Sequence, residues 1–332
     1  MPSAALPPLD EVIAAAHVVA IPTRTRFRGI TMREAVVFDA PQGASEFSPF
    51  IEYDDAEAAP WLAAALDFGW APQPDARRER IEVNATVPAV RADEVEAILA
   101  RFPGCATAKV KVAERGQSLA DDIARVNAVR DALGPEGLVR VDANGGWNVD
   151  EAVTALTQLA GFGLDYAEQP SASVSDLVAV RERIGERGID VRIAADESVR
   201  KAEDPLAVAR AGAADVLIVK AQPLGGVRRA LSIVEGAGLP VVVSSALDTS
   251  AGIAMGLQLA AALPDDLLAG ACGLGTVALL DGDVARSPLV PERGSIPVRR
   301  PALDPSLLDR YRAAPDRVDW WRDRLTRTYA LI

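Results

Sequence analysis

From about residue 81 the chain settles into a rhythm: a short β-rich run, a helical stretch, then another β-rich run roughly 25–30 residues later. The candidate strands read IEVNATV, ATAKVKV, LVRVDAN, LDYAEQP, VRIAADE, DVLIVKA and PVVVSSA, with a weaker eighth near LAGACGLG. In the helical stretch SLADDIARVNAVRDALG, Ser118 and Asp121 carry the signature of a capping box. Leu119, Ile123, Val126, Val129 and Leu133 recur there at helical spacing, and Gly134 stops the helix. In DPLAVARAG, Asp204 reads as the N-cap and Pro205 as the first helical residue. About eight such units in about 200 residues predict a closed parallel α/β barrel. A doubly wound open sheet is the alternative, but no G-x-G-x-x-G follows an early strand.

The flanks follow another pattern. VVAIPTRTRFRG, REAVVFDA and EFSPFIEY alternate and are separated by turn residues, as antiparallel strands do. EAAPWLAAALDFGW reads as a helix with Pro60 near its start, and APQPDARRER as a linker. The Pro-, Arg- and Asp-rich remainder is expected to return to the N-terminal strands and to pack Trp320 and Trp321 there. The division is therefore 1–80 (a small α+β part), 81–280 (the barrel) and 281–332 (the returning segment).

Composition narrows the function classes. A net charge of −12 leaves no basic excess to neutralise phosphates, which argues against nucleic acid as a partner. No apolar run is long enough to span a bilayer, and MPSAALPPLDEV lacks the pattern of a signal peptide. Two cysteines, Cys105 and Cys272, make no disulfide framework and read as buried thiols in a reducing compartment. The expectation is a cytoplasmic protein, with a monomer favoured. Only four lysines occur, Lys109, Lys111, Lys201 and Lys220, in a chain otherwise rich in arginine. Lysine shifts its pKa readily and arginine stays charged, so lysine suits a position where a proton must be lost. Chance in an arginine-rich composition explains the bias equally well.

In a barrel of this kind the C-terminal ends of the strands face the active site. Lys109 and Lys111, two residues apart, point to one face of their strand. The following strands end in Asp142, Glu168, Asp196 and Lys220, and the next in Ser244 and Ser245. Each carboxylate alone reads as a solvated strand end or a helix cap. Three on successive strands, bracketed by lysines, would raise one another's pKa unless a cation joined them. Oxygen ligands suit Mg2+ better than Zn2+, with Mn2+ as an alternative ion. The single histidine, His17, lies far off, which excludes a His-rich metal site and disfavours a Ser-His-Asp triad. Beside a cation the lysine pair is expected to have lowered pKa values, suited to a general base.

The set K-x-K at Lys109–Lys111, VDANGGW at Asp142, AEQP at Glu168, AADES at Asp196 and IVKAQPLGG at Lys220 resembles the muconate-lactonizing subgroup of the enolase superfamily. The matches fall in order along most of the chain. The resemblance implies a modified (β/α)7β TIM-like barrel under an α+β capping domain, with metal ligation by Asp142, Glu168 and Asp196. FRGITMREAVVF, EFSPFIEY, Arg140, SSALDTSAG and the GLGT run at Gly273–Thr276 look like the subgroup's succinylbenzoate-forming dehydratases of menaquinone biosynthesis. That implies a small dicarboxylate substrate, Lys111 as base and then acid, Lys220 opposite it, and Lys109 tuning Lys111. The same frame serves racemases of N-acylamino acids and dipeptide epimerases, where Lys220 would be the second base. From other classes, a Schiff-base aldolase using Lys220 or a non-catalytic binding protein would leave the three carboxylates unexplained.

Further candidates are weaker. Arg140, Asn144, Ser244, Ser245 and Gly273 read as substrate-binding. Asn144 reads equally as a turn residue. Ser244, Ser245, Asp248 and Thr249 read either as a carboxylate site at a helix N-terminus or as ordinary capping. Arg24, Arg26 and Arg28 form either a solvated basic face or a loop that attracts a dicarboxylate. Lys201 reads as a surface residue and His17 as structural.

Overall fold

The computed structural model describes residues 6–27, 29–200 and 204–332; Arg28 and Lys201 lie outside them. Strand β1 (Ala16–Phe27) pairs antiparallel with β2 (Ile30–Phe38), and β2 with β3 (Ser45–Phe47). The next helix, Asp55–Trp70, begins earlier than the sequence suggested. Asp54 caps it by accepting from the Glu57 amide at 2.7 Å, so Pro60 lies inside the helix rather than near its start. The acidic run before Pro60 supplies the cap and suits the positive end of the helix dipole.

Strand β4 (Arg80–Glu82) lies outside the three-stranded capping sheet and precedes the barrel, whose parallel strands are β5 (Ala85–Val87), β6 (Thr107–Lys111), β7 (Leu138–Asp142), β8 (Leu164–Glu168), β9 (Arg192–Ala195), β10 (Val216–Val219) and β11 (Val241–Val243). They pair in sequence order. Strand β12 (Ser295–Pro297) pairs antiparallel with β4, so IEVNATV divides in two and only its second half enters the barrel.

Closure is made by the weak eighth run. The Gly273 amide donates to Val243 O at 2.8 Å on one side, and the Cys272 amide to Glu82 O at 2.8 Å on the other. Cys272 O then accepts from the Asn84 amide at 2.9 Å. The run is poor in β-branched residues and makes these bridges without becoming a regular strand.

The helix Leu119–Leu133 has its Ser118–Asp121 capping box and ends at Gly134, whose φ of +71° suits glycine. The DPLAVARAG helix is shorter than expected, Ala207–Arg210, with Leu206 as N-cap. Asp204 instead closes the preceding turn, its side chain accepting from the Leu206 amide at 3.0 Å.

The C-terminal helix Pro315–Tyr329 packs on the capping sheet and the Asp55–Trp70 helix. Trp321 is buried edge-on to Phe47 at 5.9 Å, and its indole N–H donates to Glu34 at 2.7 Å. Trp320 packs against this core edge-on to Trp321. The capping part and the barrel meet over the C-terminal ends of the strands, where Phe27, Phe50 and Trp61 come down onto the barrel mouth.

Candidate active site

The barrel register sets the site. Lys111 on β6 lies beside Asp142 on β7, which lies beside Glu168 on β8. Side chains alternate along a strand, so Lys109 shares the inward face with Lys111. Asp196 follows β9 and Lys220 follows β10, four strands round from β6 and therefore across the barrel from Lys111.

These six side chains interlock. Lys109 Nζ lies 2.8 Å from both Glu168 oxygens and 3.0 Å from Asp142 Oδ2. Lys111 Nζ donates to Asp142 Oδ2 at 2.5 Å and to Asn144 Oδ1 at 2.6 Å. Lys220 pairs with Asp196. Burial opposes charge on Lys109, yet Asp142 and Glu168 hold its ammonium well above the usual lysine range. The nearest neighbours of Lys109 are carboxylates, and they hold its proton in place. Burial likewise opposes ionisation of Asp142, but Lys109 and Lys111 keep its carboxyl well below the usual range. Glu168 is pushed up to about 8 by burial and by Asp142, against the pull of Lys109.

A cavity opens above this cluster. Its floor includes Lys109, Lys111, Asp142, Asp196 and Lys220; Phe27, Phe50 and Trp61 wall it from the cap; Ser244, Ser245, Gly273 and Thr276 wall it from the barrel. Phe27 stands over the Lys111 ammonium at 5.5 Å, a cation–π contact that shields the amine from water. Asn144 turns the chain with φ +47° and faces the cavity, donating to Glu197 at 3.3 Å.

Other candidates fall elsewhere. Arg140 is 1% exposed and lies below the cavity. It bonds Asp165 at 2.8 Å and Ala271 O at 2.6 Å and stacks on Tyr166, so it braces the barrel interior and is not brought to the cavity. The N-terminus of the helix Ser250–Ala262 is also taken. Glu46 of the capping sheet accepts from the Thr249 and Gly252 amides at 3.0 and 3.1 Å, and the Thr249 hydroxyl caps the helix by accepting from the Ala251 amide at 3.2 Å. The Ser245 hydroxyl bonds Gly273 O and Thr276 at 2.8 Å each. Arg24 pairs with Asp281, while Arg26 lines a second opening that borders Lys111. His17 sits within β1, opposite Val37. Cys272 is buried but Cys105 only half-buried; burial pushes both thiols up to about 11.

Sequence reading missed Phe50, Trp61, Thr86 and Glu197. The three from outside the strand-end motifs gave no signal of their own, and Glu197 stood unread beside Asp196.

The donor set suits a hard divalent cation, being oxygen throughout. As placed, the carboxylates do not converge on one point: among the described residues no three metal-binding side chains do. Each turns toward a lysine, and ammonium groups supply the positive charge.

Two family models match: "Enolase C-terminal domain-like" over residues 91–302 and "Enolase N-terminal domain-like" over 18–69. The chain belongs to the enolase superfamily. Within it, the chain is 54% identical to an o-succinylbenzoate synthase of Mycolicibacterium smegmatis over 328 residues, 98% of this chain and 99% of that one. Among solved structures it resembles 2-chloromuconate cycloisomerase of Rhodococcus opacus, with TM-score 0.73 and 24% identity over 90% of this chain and 98% of that one. A dipeptide epimerase of Enterococcus faecalis, complexed with Mg and a dipeptide, aligns with TM-score 0.70 and 21% identity over 87% and 97%. These two establish the fold.

Proposed function

We propose that the chain catalyses the reaction of its o-succinylbenzoate synthase relatives. This is the dehydration of 2-succinyl-6-hydroxy-2,4-cyclohexadiene-1-carboxylate to 2-succinylbenzoate in menaquinone biosynthesis. The observation that carries this reading is identity of 54% over 98% of the chain with such an enzyme. The lysine–carboxylate cluster beneath the cavity supports it.

Asp142, Glu168 and Asp196 are the residues that would hold a divalent ion, with Mg2+ the ion proposed and Mn2+ its substitute. When bound, such an ion polarises the substrate carboxylate next to the carbon that loses its proton. An ion held there would take the place of Lys109, Lys111 and Lys220 on these carboxylates. Lys111 then holds a free amine at the cavity floor and removes the ring proton next to the carboxylate. The C–O bond to the ring hydroxyl breaks as Lys111 returns that proton to the departing oxygen, and water leaves. The electron pair from the C–H bond completes the aromatic ring. Lys220, across the barrel, contributes positive charge toward the carboxylate as it gains electron density. Phe27, Phe50 and Trp61 exclude water from above.

The test is ultraviolet absorbance of the purified protein with the cyclohexadiene substrate, with and without Mg2+, alongside Lys111→Ala. Metal-dependent loss of the diene signal, absent in the variant, is expected. Unchanged absorbance in the wild type would refute the dehydratase reading. The placement of Lys111 and Lys220 on opposed strands favours two-base racemisation as the second reading. Proton exchange into N-acylamino acids in deuterated water would then reveal it.

A further inference from the structure

Arg33 lies on β2 in the capping domain and is only 3% exposed. No step of the proposed reaction requires a cation there, yet its guanidinium reaches both walls of the cavity. Nε donates to Leu247 O at 3.1 Å, and Nη2 donates to Ser48 O at 2.5 Å. Its Cζ lies over the Phe50 ring, 4.6 Å from the ring centre. Phe50 walls the cavity from the cap; Ser245 and Ala246, just before Leu247, wall it from the barrel.

The turn that Arg33 holds is strained. Leu247 has φ +64°, a left-handed conformation that a leucine adopts at a cost. Such a conformation persists where the surroundings over-determine it. Here Arg33 grips the Leu247 carbonyl, and Asp248 accepts from the Ala246 amide at 3.3 Å. The turn follows β11, on the side of the barrel away from the carboxylates of β7 and β8. A substrate whose ring carboxylate faces those carboxylates would send its longer arm toward this turn.

We propose that Arg33 is a positioning residue that fixes the gap between the Phe50 wall and the turn at 244–249, and so sets how the substrate's succinyl arm is held. The inference rests on the dehydratase reading. Arginine suits the task because its planar fork donates in two directions while its face stacks on a ring; lysine does neither together.

The test compares wild type, Arg33→Lys and Arg33→Met, all with Mg2+, by steady-state kinetics and thermal midpoint. Arg33→Lys keeps the charge near Asp248 and is expected to keep its midpoint within a few degrees. Its KM should rise about tenfold with kcat changed less than about threefold, because Lys111 and Lys220 are untouched. Arg33→Met should raise KM further. Wild-type kinetics in Arg33→Lys, or a kcat that falls with the midpoint at constant KM, would mark a merely structural role and overturn the proposal. Should Arg33→Met fail to fold, Phe50→Leu placed in the wild-type and Arg33→Lys backgrounds gives the same answer. Effects on KM that do not add support a shared wall, and additive effects refute it. A wild-type enzyme inactive on the diene refutes the functional reading itself and is recognised before any variant is compared.

Discussion

At the scale of single residues, the chemistry turns on which amines can lose a proton. Lys109, Lys111 and Lys220 meet the carboxylate cluster. Replacing Lys111 by alanine should lower kcat by roughly 10²–10⁴. Lys111→Arg should not restore it, because a guanidinium stays charged. Absorbance turnover measures this, while a Mg2+-induced rise in thermal midpoint should persist in both variants. Glu168 leads to a second prediction. Its carboxyl, pushed up to about 8, holds a proton at neutral pH that a cation must displace. Mg2+ affinity of the wild-type protein should therefore climb as pH rises through 8 and then level off. Isothermal titration between pH 6.5 and 9 checks it, and an affinity flat across that range would mean that Glu168 is already ionised at neutral pH. These carboxylates and lysines were legible because alternation along a strand fixes which side chains point inward. Arg140 shares that alternation with Asp142 but lies one pleat deeper. Spacing records the face of a strand and not the depth of the cavity floor.

At the scale of elements, the regular strands announced themselves through β-branched runs, and the irregular pieces did not. IEVNATV is one run in sequence but serves two sheets, because β12, whose Ser295 lies 215 residues beyond Arg80, takes its first half and leaves β5 to the barrel. The closing segment was weak in sequence for a reason that bears on function. Gly273 sits against β11, where a β-carbon would lie 2.6 Å from Ser244 Oγ. A larger residue there would crowd the serine that walls the cavity. Gly273→Ala is thus expected to turn the Ser244 hydroxyl away and raise KM several-fold, with a midpoint shift of less than about 3 °C. Kinetics and calorimetry on the same preparation separate the two effects. A large midpoint loss with unchanged KM would show that the glycine serves barrel closure alone.

At the scale of the whole molecule, the cap and barrel are joined by a polar cluster that no local pattern foretold. Glu46 and Thr249 stand 203 residues apart, yet the glutamate caps the barrel helix as a bound anion would. Burial and Asp248 push the Glu46 carboxyl up to about 7, against the pull of Arg33, Ser48 and Thr249. A carboxyl raised from its usual 4.5 keeps a proton in the folded state that the unfolded chain has already released. Its contribution to stability is therefore fully present below pH 4.5 and is lost as pH climbs through 7. Glu46→Gln has no proton to lose. Asp248, also raised by burial, remains in both proteins and so largely cancels in the comparison. The thermal midpoint of the metal-free wild type should fall relative to that of Glu46→Gln as pH rises from 4.5 to 7, and the two curves should run parallel above 8. Parallel curves across the whole range would mean that Glu46 is ionised throughout. The cap would then be fastened by an ionised Glu46 that accepts from the Thr249 and Gly252 amides, and a proton would play no part in holding the two halves of the site together.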